Sequence, residues 1–164
     1  MITALETARV IAVGAGATLV MDAWLLALRA VGVPVSNFAL IGRWVGHWPR
    51  GRFAHAAIAQ AAPVRYERAL GWLTHYAVGI AYAVLLVAVA GADWLRQPTL
   101  APALGFGVVT LAVPLFVMQP AMGAGLAGSR TAAPLRNVLR SFANHAVFGA
   151  GLYLAAAALA WAAR

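Results

Sequence analysis

Gly71-Trp72-Leu73-Thr74-His75-Tyr76-Ala77-Val78-Gly79 opens a long apolar run and sets a titratable ring inside it. Near the end of the chain, Ser141-Phe142-Ala143-Asn144-His145-Ala146-Val147-Phe148-Gly149 repeats the arrangement. A small residue stands four before each histidine and a glycine four after it. Residues four apart share one helix face. Each stretch therefore predicts a helix whose histidine lies on a strip of small neighbours, open to another helix or a flat ligand.

Composition sets the class around these helices. Hydrophobic residues make up 63% and charged residues 10% of the chain, with a mean hydropathy of +0.83. Soluble globular domains do not have this balance, so the reading is an all-α integral membrane protein. All twelve Lys/Arg positions are Arg, and the acids are Glu6, Asp22, Glu67 and Asp93. The arginines cluster between apolar runs, as the positive-inside rule and anionic lipid headgroups require. No soluble basic domain is left to grip nucleic acid. With no Cys in the chain, disulfides, thiolate catalysis and Cys-ligated metals are excluded.

Four apolar runs predict spans at about 10–28, 70–90, 101–126 and 141–161, joined by cytoplasmic loops 29–69 and 127–140 in a single membrane domain, 1–164. The first run is a poor signal peptide, because Glu6 spoils its basic start and Asp22 interrupts it, and is expected to be retained. In the first loop, Ser36 is the expected cap of a short interfacial helix whose Phe38, Ile41, Trp44, Val45 and Trp48 recur at three- and four-residue steps. An ordinary loop resting on the bundle is the alternative. Pro114 and Pro120 break the third run, freeing the carbonyls of Thr110 and Phe116. The arginine count places both termini on the outer face of a bacterial inner membrane.

An internal echo links the halves. Ala61-Ala62-Pro63-Val64-Arg65 precedes the first histidine strip, and Ala132-Ala133-Pro134-Leu135-Arg136 precedes the second. Val20-Met21-Asp22 is answered by Val117-Met118-Gln119. The pattern reads as two helical hairpins in tandem repeat, forming a four-transmembrane-helix bundle; chance matches in an Ala-rich sequence are the alternative. Asp22 lies seven residues before Arg29 and His75 seven after Arg68, each about 10 Å inward at 1.5 Å per residue. Asp22, His75, Gln119 and His145 thus form an expected intramembrane polar layer, with Met21 and Met118 beside it as soft ligands. An ionisable group at that depth costs about 2.5–3.5 kcal/mol on insertion scales, so these groups are expected to face inward.

The residues also resemble a bacterial family of small four-span integral membrane proteins known only as a domain of unknown function. The resemblance runs through Ala17-Thr18, Met21-Asp22, Gly42-Arg43, Gly46-His47, His55, Pro63 and Glu67. It continues through Gly71-Trp72, His75-Tyr76, Pro98-Thr99, Pro114, Met118-Gln119-Pro120, His145, Phe148-Gly149 and Gly151-Leu152-Tyr153. It implies a membrane location and four spans, and brings no activity, cofactor or catalytic residue.

Three functions fit. One is a structural or accessory subunit of a larger membrane complex, its histidines hydrogen-bonded to fix the bundle. Another is a small-solute, ion or proton translocator using Asp22 and the two histidines, with the Pro-broken helix as a gate and a homodimer to complete the pore. The third is a cofactor protein in which His75 and His145 hold haem b or copper. An enzyme is the weakest reading. No nucleophile elbow or zincin motif is present, and Arg43, His47, His55 and Glu67 at the cytoplasmic rim read first as a solvated interfacial loop. The expected partners are the lipid bilayer and anionic headgroups.

Overall fold

A computed structural model describes residues 3–163. Helix α1 (Ala4–Ala30) starts earlier than its apolar run. Thr3 and Glu6 explain why: the Glu6 N–H donates to Thr3 Oγ1 at 3.2 Å while the Thr3 N–H donates to Glu6 Oε2 at 2.9 Å. This reciprocal box satisfies two donors that a helix start leaves open. Helix α2 (Phe38–Gly46) is the short helix expected between the first two spans, but its cap is Asn37, not Ser36. The Asn37 side chain accepts from the Ala39 N–H at 3.0 Å, which moves the start one residue on.

Helix α3 (Glu67–Ala90) ends at Gly91, whose φ of 88° only glycine adopts without strain. Helix α4 (Leu100–Thr110) continues into a π-helical turn, Pro114–Met118, and the three-residue α5 (Gln119–Ala121). The third span therefore ends at Ala121, short of the expected 126. Helix α6 (Pro134–Ala162) begins well before the expected 141, so Arg136 and Arg140 stand on a helix and not in a loop. Pro134 opens α6 at a position where its missing N–H costs nothing.

Four helices, Ala4–Ala30, Glu67–Ala90, Leu100–Ala121 and Pro134–Ala162, are long and apolar enough to cross a membrane. Leu19, Leu26, Val89, Val109 and Leu154 are exposed, while Ala17, Thr18, Ala83, Ala103 and Ala156 are buried beside larger core residues. Large apolar side chains left on the outer faces and small ones where helices approach closely suit lipid-facing helices, since lipid gives no reason to hide a leucine. The chain is an all-helical, four-span membrane protein that contacts lipid.

The chain divides into two compact units. The first comprises residues up to Pro34, Tyr76–Thr110 and those from Asn144. Its core joins Val10, Val13 and Ala17 of α1, Ala83, Leu86 and Val87 of α3, Ala103 of α4, and Phe148, Leu152 and Ala156 of α6. Glycines bring the backbones together. A Cβ on Gly79 would overlap Thr18 Oγ1, and one on Gly149 would sit 2.8 Å from the Ala103 carbonyl oxygen. These are the glycines four residues beyond His75 and His145, so the strips of small residues do seat a neighbouring helix.

The second unit comprises Val35–His75 and Leu111–Ala143. Here α2 lies against the start of α3, and Gly42 and Gly71 make the approach: a Cβ on either would overlap the other helix's backbone. Phe38 stacks on Trp72 with ring centroids 4.4 Å apart. The α2 stripe therefore packs on α3 through at least Phe38.

Candidate functional site

In the first unit, three pairs of polar groups join different spans. The Tyr76 hydroxyl of α3 donates to Asp22 Oδ2 of α1 at 2.8 Å. The Trp24 indole N–H of α1 donates to Asn144 Oδ1 of α6 at 3.0 Å. Thr110 of α4 meets His145 of α6, with Oγ1 2.9 Å from Nδ1.

The last pair fixes a tautomer. The Thr110 hydroxyl has one hydrogen and lies 2.6 Å from the Gly107 carbonyl, which only accepts. Its hydrogen is spent there, so His145 Nδ1 carries the proton and donates to Thr110 Oγ1. His145 Nε2 is left with the lone pair. A metal-ligating imidazole has the same arrangement, one nitrogen held by an oxygen and the other open.

Asp22 and His145 of the expected layer both fall in the first unit, as does Met21, which packs against the core. His75, Met118 and Gln119 fall in the second. There the His75 ring lies 4.5 Å from Phe38 and 5.8 Å from Trp72, centroid to centroid. Gln119 Oε1 accepts from Asn137 Nδ2 at 2.9 Å. Gln119 is also where the π turn closes, its N–H reaching back five residues to the Pro114 carbonyl.

Arg43, His47, His55 and Glu67 belong to one folded substructure of the second unit. Arg43 grips Glu67 with both ends of its fork, Nε to Oε2 at 2.8 Å and Nη2 to Oε1 at 2.9 Å. Its Nη1 faces the carbonyls of Ala59 and Ala61 at 3.0 and 3.1 Å. Glu67 Oε2 also takes the Val64 N–H at 3.2 Å. Its hydrogen bonds to the Glu67 carboxylate hold the Arg43 guanidinium above its ordinary pKa. A solvated loop has no such convergence on one guanidinium; Arg43 staples the 58–61 backbone to the start of α3.

His47 follows α2 and is 2% exposed. Its ring meets that of His55 edge to face, with centroids 4.9 Å apart.

A family model described as "Protein of unknown function (DUF2938)" matches residues 11–159. The chain belongs to this family. Neither a curated protein nor a solved structure matches it. The DUF2938 match, residues 11–159, takes in part or all of each of the four helices, and the paired polar groups and the Arg43 staple both lie inside it.

Tyr76, Thr110 and Asn137 are partners that sequence reading missed. Tyr76 and Asn144 sat beside the two histidines and could have been found by asking which neighbour a buried carboxylate or indole would use. Thr110 was noticed for its carbonyl, whereas its hydroxyl makes the contact.

Proposed function

We propose that this DUF2938 protein is a structural or accessory subunit of a membrane complex, with its intramembrane polar residues serving to lock the helices. One observation carries the reading: Asp22–Tyr76, Trp24–Asn144 and Thr110–His145 are each a hydrogen bond between two different helices. Such bonds tie a bundle where apolar burial cannot, because lipid competes equally for the apolar side chains. The outward faces are then the working surfaces, and the arginine count argues for a multi-pass protein in a bacterial inner membrane with both termini outside.

Reconstitution in proteoliposomes tests this. The expected outcome is no proton or ion flux above empty vesicles, with Asp22→Asn and His145→Ala lowering the melting temperature in detergent. Flux in the wild type that either substitution abolishes would overturn the reading in favour of a translocator.

The π turn favours that translocator as the second reading. Insertions of this kind widen a helix locally and recur at functional sites. This one lies between Pro114 and Pro120, at the foot of a span. A gate hinged there would be stiffened by Pro114→Ala, and any flux would fall with it.

The tautomer of His145 bears on the cofactor reading, because its Nε2 lone pair suits a haem iron or copper. Oxidised and reduced absorption spectra with metal analysis test it. A Soret band or bound metal lost in His145→Ala would establish a cofactor, and a colourless, metal-free folded sample would remove it.

A further inference from the structure

His47 and His55 stand apart from the interhelical pairs, and their ring nitrogens pose a separate problem. His47 Nε2 lies 2.9 Å from the Ala62 carbonyl oxygen. A carbonyl only accepts, so Nε2 carries the hydrogen and Nδ1 the lone pair. That Nδ1 is buried and, among the described residues, has no hydrogen-bond partner. Both ring nitrogens of His55 are likewise buried without a partner. Three orphaned nitrogens on two touching rings are a concentration that native proteins avoid unless something else satisfies them.

The frame around them is built, not loose. The His55 backbone N–H donates to the Ala121 carbonyl at 2.8 Å, and the Ile58 N–H to that of Met122 at 3.0 Å. Gly123, at φ 92°, lies so close to Ala56 that a side chain there would overlap the Ala56 carbonyl. On the other side, Ala62 orients His47, and Arg43 holds the 58–61 backbone.

We propose that His47 Nδ1 and one ring nitrogen of His55 form a two-imidazole site for Cu(I). The donor set selects the ion. Among the described residues no group of three or more His, Asp or Glu is placed to hold a metal, so no third ligand of those types joins the two imidazoles. The Glu67 carboxylate is engaged by Arg43 and Val64. Calcium and magnesium need oxygen donors, and structural zinc takes four protein ligands. Cu(I) is content with two or three, and imidazole suits it. The two rings are direct neighbours, their centroids 4.9 Å apart and their planes at 82°.

Charge points the same way. Arg52 lies near enough to act electrostatically on His55, and its repulsion of a bound cation doubles from a monovalent to a divalent ion.

The test titrates the full chain in detergent with Cu(I) under anaerobic reducing conditions, against a chromogenic Cu(I) chelator. One Cu(I) per chain is expected, with affinity at least about tenfold weaker in His55→Asn and in His47→Gln. Gly105→Ala, at a position with open space around it, should bind as the wild type does. X-ray absorption on the wild type, which needs no variant to fold, should show imidazole nitrogen in the first shell. Failure to compete with the chelator, full binding in folded His55→Asn, or a first shell without imidazole would each overturn the proposal.

Discussion

Asp22 and Tyr76 show how a membrane interior uses a charge-bearing residue. The 2.8 Å hydrogen bond gives the carboxyl a fixed neighbour on another helix. Such bonds are worth about 0.6 kcal/mol on average in membrane bundles, because the unpacked helices also find partners. A double-mutant cycle of Asp22→Asn and Tyr76→Phe, read by thermal unfolding in detergent, should give a coupling of that order; a coupling indistinguishable from zero would show the contact to be idle.

His55 carries a pH prediction. Its folded pKa lies below the reference value of 6.5, chiefly through burial, then through His47 and Arg52. Above about pH 6.5 the ring is neutral in both folded and unfolded chains and stability does not depend on it. As pH falls through 6.5 the unfolded chain takes up the proton first, so the fold loses stability until the folded pKa is passed. In chelator-containing buffer the melting temperature should therefore drop from pH 7.5 to 5.5. His55→Phe should flatten that drop; an equal drop in both proteins would assign the acid sensitivity to another group.

At the scale of elements, the helices are held by what they lack. Gly79 permits α3 to touch Thr18 of α1, and a methyl group there would overlap the threonine hydroxyl. Gly79→Leu should cost about 1–3 kcal/mol or more by overpacking, visible as a lower midpoint of denaturation. Gly105, with open space around it, should accept the same change with little loss. If the two substitutions behave alike, the close approach of α1 and α3 is not what the glycine is for.

The Arg43 staple makes a second prediction about elements. Its fork matches a carboxylate bidentately, which a lysine ammonium cannot do. Arg43→Lys should leave Glu67 and the 58–61 carbonyls under-satisfied and raise hydrogen exchange in residues 55–66. Unchanged protection there would mean that the backbone bonds to Ala121 and Met122 suffice.

For the whole molecule, composition, hydropathy and length were enough to read four membrane helices. The reason is that a bilayer accepts only long apolar segments whose backbone bonds are closed within themselves. Helix ends were read less well, since they depend on short polar signals at the edges of the apolar runs. Thr3-x-x-Glu6 extends α1 outward, and Pro134 starts α6 while arginines are still present.

The candidate residues divide along the same line. The sequence determined that Asp22, His75, Gln119 and His145 are polar groups inside or beside apolar helices, because burying such groups in lipid demands partners. It determined too that small residues flank the histidines. Partner choice was decided only by tertiary structure: Tyr76 for Asp22, Thr110 for His145, Asn137 for Gln119 and Glu67 for Arg43. These contacts join residues distant in the chain, and their distances follow from how helices cross, which no local pattern encodes. The juxtaposition of His47 and His55 is the clearest case. Both were visible as loop histidines, yet only the packing of α2 against the 55–62 backbone turns them into two touching rings with buried, unpartnered nitrogens.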